Sequence, residues 1–263
     1  MIEESSRGHS FRMAGHFIEF QDVSKSFDDH RVLEGVRFHV DAGETLVILG
    51  RSGAGKSVTL AHIMGFLKPD AGRVWVAGED ITDYDETQLT RIRKKVTMVF
   101  QSGALFDSLT IFENVAFPLR ERGGWNEGNI EEIVGGLLKL LEIHELADAL
   151  PSELSTGMKR AAAIARALAA QPEAILYDEP TTMVDPLMAQ HIENLMERLK
   201  QQLRLTSVVV THDTRLAKKV GDKVVFLDAG HATFFASVEE LSACTNPLIQ
   251  EFLLEDEIPS ALS

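Results

Sequence analysis

Gly50-Arg51-Ser52-Gly53-Ala54-Gly55-Lys56-Ser57 has the spacing G-x-x-x-x-G-K-S. It follows the apolar run Thr45-Leu46-Val47-Ile48-Leu49, which predicts a buried strand, and it leads into Ser57–Met64, which predicts a helix ending before Pro69. Strand, glycine-rich turn and helix are the context in which this spacing means phosphate binding. The glycines let the chain curl so that successive N–H groups converge on an anion, and the helix N-terminus adds partial positive charge. In such a loop Lys56 sits on the terminal phosphates and the Ser57 hydroxyl ligates Mg²⁺. The expected phosphate-binding set is therefore Gly50, Arg51, Ser52, Gly53, Ala54, Gly55, Lys56 and Ser57, with Val58 next in line. An idle βα turn would need none of the fixed positions, but the loop alone specifies only a nucleotide, because GTPases, kinases and motors share it.

Composition narrows the class. At 263 residues the chain suits one large α/β domain, with or without a small insertion. A hydrophobic content of 44% with 25% charged residues is that of an ordinary globular protein. The net charge of −14, from 26 basic and 40 acidic residues, argues against a nucleic-acid partner held by the overall field. The one cysteine, Cys244, allows no internal disulfide, which suits a reducing compartment. Residues 1–15 are polar and charged and read as a flexible leader rather than a signal peptide. No stretch approaches the roughly 18 consecutive apolar residues of a membrane span, so work at a membrane would go through a partner.

Along the chain, His16–Phe20 and Val36–Val40 predict strands, and Asp41-Ala42-Gly43-Glu44 a turn before the phosphate-loop strand. Phe27 reads as a strand residue facing the core, although an aromatic ring can also be a platform for a base. Arg73–Ala77, a helix near Glu86–Arg93 and the strand Val96–Phe100 follow, with Gln101 at that strand's carboxyl end. Ligands of open α/β sheets bind outside such ends. Thr110-Ile111-Phe112-Glu113 fits a capping box opening a helix that Pro118 is expected to disturb. After the loop Gly123-Gly124-Trp125-Asn126, apolar residues from Ile130 to Leu141 recur at helical spacing. This stretch reads as a helical insertion. Ser155 is a good N-cap before the alanine-rich helix Lys159–Ala170, and a helix start with Ser155 and Gly157 is a second potential anion site.

The apolar run Ala174-Ile175-Leu176-Tyr177 then delivers Asp178 and Glu179. Two adjacent carboxylates repel, and a site that tolerates both needs a cation or a proton. Asp178 is placed to hold Mg²⁺ and Glu179 to accept a proton from a water nucleophile. Asp185-Pro186 caps a helix with a buried stripe running to Leu203, and Ser207–Val210 predicts a strand ending at Thr211-His212-Asp213. The hairpin Val224–Leu227 and Ala232–Phe235 reads as the last element, before a mixed apolar and acidic tail at 246–263 for which fraying is the default.

Together these residues resemble the nucleotide-binding subunit of an ATP-binding-cassette (ABC) transporter. The phosphate loop, Gln101, the signature Leu154-Ser155-Thr156-Gly157-Met158, the acidic strand end, Asp185 and His212 occur in family order. GTPases and small kinases lack the signature and the histidine, and no Asn-Lys-x-Asp guanine-reading motif is present. The resemblance implies a phosphate-loop core sheet with flanking helices, a small antiparallel β part and an inserted helical subdomain. It divides the chain into a core at 16–101 and 158–236, a helical signature subdomain at 102–157 and a C-terminal extension at 237–263. It implies that Phe27 stacks on adenine, that Gln101 touches Mg²⁺ or the attacking water, that Glu179 is the general base and that His212 holds the γ-phosphate. Asp185 joins the nucleotide-binding set. Ser155 and Gly157 would bind ATP held by the opposite copy, giving a head-to-tail homodimer with ATP as the bridge.

One departure is Thr156 where the family usually has Gly. If that position required a left-handed backbone, the β-carbon would cost about 1–2 kcal/mol and slow turnover. The stretches Phe100–Phe106 and Phe112–Glu121, with Met158 and the tail Asn246–Leu253, are similar to ATPases of the Mla/Mce lipid-transport systems. That narrower resemblance implies a peripheral subunit on the cytoplasmic face of a bacterial inner membrane. Its partners would be a permease, an Mce-type lipid-binding protein and, in some systems, a small accessory protein. The alternatives are the ATPase of an importer for amino acids or another small solute, a soluble ABC ATPase of translation or repair, and a slow ATP-dependent clamp. The second usually carries two cassettes or a long coiled coil, and this chain shows neither.

Overall fold

The computed structural model describes residues 15–257; most of the expected leader, and the tail beyond Glu257, lie outside the described residues. Strands β1 (Ile18–Phe27), β2 (His30–Val40), β4 (Ala71–Val76) and β5 (Glu79–Asp80) form an antiparallel sheet in the order β2-β1-β4-β5. The second sheet contains β3 (Thr45–Leu49), β6 (Val96–Val99), β7 (Ala174–Asp178), β8 (Thr206–Thr211), β9 (Lys223–Asp228) and β10 (His231–Ser237) in the order β10-β9-β3-β8-β7-β6. Its pairs are parallel except β9 with β10. Every residue of β3 is buried, as both-face burial of a central parallel strand requires.

Helices α1 (Lys56–Ile63), α2 (Glu86–Arg93), α3 (Ile111–Arg122), α4 (Glu127–Leu140), α5 (Thr156–Ala169), α6 (Pro186–Leu203) and α7 (Thr214–Val220) connect the strands. The predicted capping box at Thr110 and Glu113 forms, but α3 continues through Pro118 to Arg122. The proline removes one backbone donor. Its helix is held by the cap at one end and by Val115, Ala116 and Leu119, all buried in the core shared with α5. That one core also takes in α4, α6 and the tail.

The tail departs from the expectation of fraying. Two further helices follow the hairpin, α8 (Val238–Ala243) and α9 (Pro247–Glu257). In α9, Ile249, Phe252 and Leu253 stand three and four residues apart, share one face and are buried in the main core. Phe252 meets Phe226 of β9 edge to face, with ring centroids 5.0 Å apart. Among the described residues no helix is long and apolar enough to cross a membrane.

Candidate active site

The strand order positions the site. Leu49 pairs with Thr211, Val210 with Asp178 and Tyr177 with Val99, so β3, β8, β7 and β6 end level with one another. The phosphate loop, His212, Glu179 and Gln101 therefore emerge side by side at one edge, although Gly50 and His212 are 162 positions apart in the sequence. 

The loop's backbone depends on glycine. Gly55 caps α1 at φ 99°, and a β-carbon there would stand 2.6 Å from Leu33 Cδ2 and 2.8 Å from the Val32 carbonyl oxygen. Lys56 is buried, and its Nζ donates to the carbonyls of Gly50 (2.7 Å) and Arg51 (3.1 Å), so the side chain arches back over the loop. The same nitrogen lies 3.5 Å from Glu179 Oε1.

Ser57 Oγ donates to Asp178 Oδ1 at 3.2 Å. Burial pushes the Asp178 carboxyl above its ordinary value; the Ser57 bond opposes this and the Glu179 charge adds to it. A cation placed here would relieve that burden. Ser57, Asp178 and the side-chain carbonyl of Gln101 offer only oxygen, the donor set Mg²⁺ takes, so these residues fit the ion.

Glu179 is the hub. Its backbone is left-handed at φ 47°, and its amide donates to the Val210 carbonyl at 2.9 Å. Its Oε2 accepts from Thr182 Oγ1 and sits 2.9 Å from His212 Nδ1. Burial works against the Glu179 charge, but the His212 hydrogen bond and charge, helped by Thr182 and Lys56, outweigh it and hold the pKa below the ordinary carboxylate range. The same bond raises His212 against its own desolvation. Glu179 is thus an ionised carboxylate with three fixed neighbours, able to take a proton.

A cavity of about 760 Å³ opens here, lined by Arg51, Ser52, Gly53, Gly55, Lys56, Ser57, Val58, Gln101, Glu179 and His212 from the expected set. Gly50 and Ala54 are buried behind the lining, and Asp178 reaches it through Ser57. Four expected residues stand elsewhere. Phe27 ends β1 with 42% of its surface exposed, against the core reading, and Lys25 Nζ lies 5.7 Å from its ring centre. Ser155 is the exposed cap of α5, accepting from the Met158 amide at 3.3 Å. Gly157 is buried where a β-carbon would come within 2.7 Å of Met188 Cε, and Asp185 caps α6 by accepting from the Met188 amide.

Thr156 opens α5 and is absent from the left-handed residues, so the anticipated backbone penalty does not arise. Thr156→Gly is expected to leave ATPase activity within about twofold, because a glycine in a helix costs at most about 1 kcal/mol and Thr156 does not line the cavity. A several-fold rise in a steady-state assay would show that the β-carbon matters at a surface met only in the dimer.

Several residues escaped the sequence reading. Arg160 of α5 is fully buried and donates to the Phe100 carbonyl at 2.6 Å, and Arg166 donates to that of Gly103 at 3.2 Å. These two arginines tie the signature helix to the turn carrying Gln101. Two arginines inside an alanine-rich helix are the available signal. Thr182, Val32 and Phe252, which also line the cavity, carry no motif.

The family model for ABC transporters matches residues 33–182. Among curated relatives, a probable ribonucleotide transport ATP-binding protein of Mycobacterium leprae is 36% identical over 91% of this chain and 69% of its own. A methionine import ATP-binding protein of Carboxydothermus hydrogenoformans is 37% identical over 87% and 69%. The chloroplastic protein trigalactosyldiacylglycerol 3 of Arabidopsis thaliana is 36% identical over 89% and 72%. A solved dimeric ATP-binding cassette in a post-hydrolysis state bound to ADP and Pi superposes with a TM-score of 0.77 at 33% identity, covering 84% of this chain and 98% of that one. With a matched family model, a matched fold and an intact acidic site beside its phosphate loop, this chain belongs to the ABC transporter family as an ATP-hydrolysing subunit.

Proposed function

We propose that two copies of this chain pair head to tail around ATP and drive a permease that moves phospholipid or a related lipid between bacterial envelope membranes, as Mla/Mce systems do. The lipid reading rests on the segments Phe100–Phe106 and Phe112–Glu121. They build one surface: Phe106 and Phe117 are exposed with ring centroids 4.8 Å apart, and buried Asn114 bonds the backbone of Phe106 from beneath. An aromatic pair left on the surface suits an apolar protein partner. The galactolipid name of the Arabidopsis relative agrees with this reading. The methionine-import relative favours a second one, a small-solute importer with the same motor and another permease.

In the proposed mechanism the loop amides and Lys56 hold the phosphates of ATP. Ser57, Asp178 and Gln101 would hold Mg²⁺, which neutralises developing phosphate charge when bound. Glu179 takes the proton of the attacking water, and His212, anchored through Nδ1, turns its other nitrogen toward the γ-phosphate. Ser155 and Gly157, outside their own cavity, serve that of the opposite copy, and Asp185, which caps α6 through the Met188 that packs on Gly157, joins the nucleotide-binding set. Phe27 stacks on the base. Loss of the γ-phosphate removes the bridge, and the pair relaxes. The subunit would sit peripherally on the cytoplasmic face of the inner membrane, with a permease, an Mce-type protein and a small accessory protein as partners and no nucleic acid.

The test is purification of the protein from detergent-solubilised native membranes, with partners and lipids identified by mass spectrometry. An Mce-type protein with phospholipid is the expected result. A solute permease instead would replace the substrate and keep the motor, and recovery with no membrane protein would overturn the transport reading.

A further inference from the structure

Thr182 carries no motif, yet both its amide and its hydroxyl are tied to Glu179. Glu179-Pro180-Thr181-Thr182 is a turn in which the Thr182 amide donates to the Glu179 carbonyl at 3.3 Å. Pro180 holds the second position of that turn, where its fixed φ is favoured. The turn folds residue 182 back toward residue 179, and the Thr182 hydroxyl donates to Glu179 Oε2 at 2.9 Å. His212 Nδ1, arriving from the end of β8, meets the same oxygen at 2.9 Å. The two hydrogen bonds therefore fall on one oxygen. Oε1 has Lys56 Nζ at 3.5 Å, an ion-pair distance, and that nitrogen already donates to the carbonyls of Gly50 and Arg51. Thr182, His212, Lys56 and Glu179 all line the cavity. Bonds from two different elements to Oε2 fix the plane of the carboxylate and leave the other oxygen for the reaction.

We propose that Thr182 is a positioning residue for hydrolysis: with His212 it occupies Glu179 Oε2 and so makes Oε1 the atom that takes the proton. The assignment rests on Glu179 as the general base and extends that reading to a residue outside every motif. The water oxygen bonds to the γ-phosphorus as its proton passes to Oε1. The bond from phosphorus to the bridging oxygen breaks, and its electron pair leaves on ADP. Without the Thr182 bond the carboxylate samples more orientations, and the share aimed at the water falls. Binding of ATP does not depend on that aim.

The experiment is steady-state hydrolysis of Mg-ATP by the full-length protein, with kcat and KM read separately. Thr182→Val keeps the branched shape and removes the hydroxyl. It is expected to lower kcat roughly 10-fold, the order for one hydrogen bond to a charged group, and to hold KM within about twofold. Thr182→Ser is expected to restore kcat. In a Glu179→Gln background, Thr182→Val is expected to add no further loss, because both changes remove one function. Unchanged kcat in Thr182→Val, with Glu179→Gln slow, overturns the assignment and leaves Glu179 as the base. A raised KM at wild-type kcat also overturns it, as does additivity with Glu179→Gln or failure of Thr182→Ser to restore the rate. Those results would give Thr182 a binding or a purely steric role. A Glu179→Gln variant as fast as wild type overturns the general-base reading together with this one.

Discussion

Glu179→Gln is expected to lower steady-state ATP hydrolysis by about 10²–10⁴-fold, the range for loss of a positioned general base. The amide keeps the shape of the side chain and can still accept from Thr182 Oγ1, which now bonds Glu179 Oε2 at 2.9 Å. What disappears is the charge facing Lys56 Nζ at 3.5 Å and the capacity to take a proton. The left-handed backbone at φ 47° is asked equally of Glu and Gln, so folding is little affected. ATP binding and ATP-driven pairing should therefore persist, and the variant should accumulate as a dimer when light scattering follows size exclusion in Mg-ATP. Removal of a carboxylate from beside Lys56 also relieves repulsion with incoming phosphate, which favours that dimer further. If wild type and variant hydrolyse at the same rate, Glu179 is not the base. If the variant is slow but never pairs, ATP is not the bridge between copies.

The parts of this site that were legible in the sequence are those where the backbone imposes the chemistry. The loop could be read because Gly50, Gly53 and Gly55 all have positive φ, and so few residue types serve there. The carboxylates and His212 could be read because apolar strands of five and six residues deliver them. Cross-sheet contacts were out of reach. Glu179 and His212 are 33 residues apart, and only the parallel pairing of β7 with β8 turns them into one hydrogen-bonded unit. Phe27 was misread toward the core because a strand's alternation does not say where its last residue leaves the sheet. The tail was misread because its three buried apolar positions are few, and acidic residues among them suggest solvent. Pro118 misled for a similar reason, since a lost backbone bond is a local cost and the burial that outweighs it comes from other elements. Ser155, Gly157 and Asp185 are named by motif alone, and a single chain gives them only capping and packing roles.

Gly55→Ala is expected to be far more damaging than Gly53→Ala, a pair that separates steric from conformational cost. Both glycines have positive φ, 80° at Gly53 and 99° at Gly55, so a β-carbon costs each about 1–2 kcal/mol. At Gly53 nothing lies within 4 Å of that carbon, and the conformational cost is the whole effect. At Gly55 the carbon would approach the Val32 carbonyl oxygen to 2.8 Å and Leu33 Cδ2 to 2.6 Å. Leu33 is buried in the core beneath the antiparallel sheet, and the Val32 oxygen belongs to β2 backbone, so neither can yield cheaply. Overpacking of this kind adds about 1–3 kcal/mol. The two terms together predict a loss of about 2–5 kcal/mol, shared between the folded state and the loop geometry that phosphates require. Thermal unfolding should fall by on the order of 10 °C for Gly55→Ala, since 1 kcal/mol is worth about 2–4 °C at this size, and by clearly less for Gly53→Ala. Mg-ADP affinity should fall in the same order, because α1 begins at Lys56 and a displaced cap moves the Lys56 and Ser57 side chains together. Equal damage from the two alanines would mean that the backbone angle alone matters and that β2 does not brace the loop.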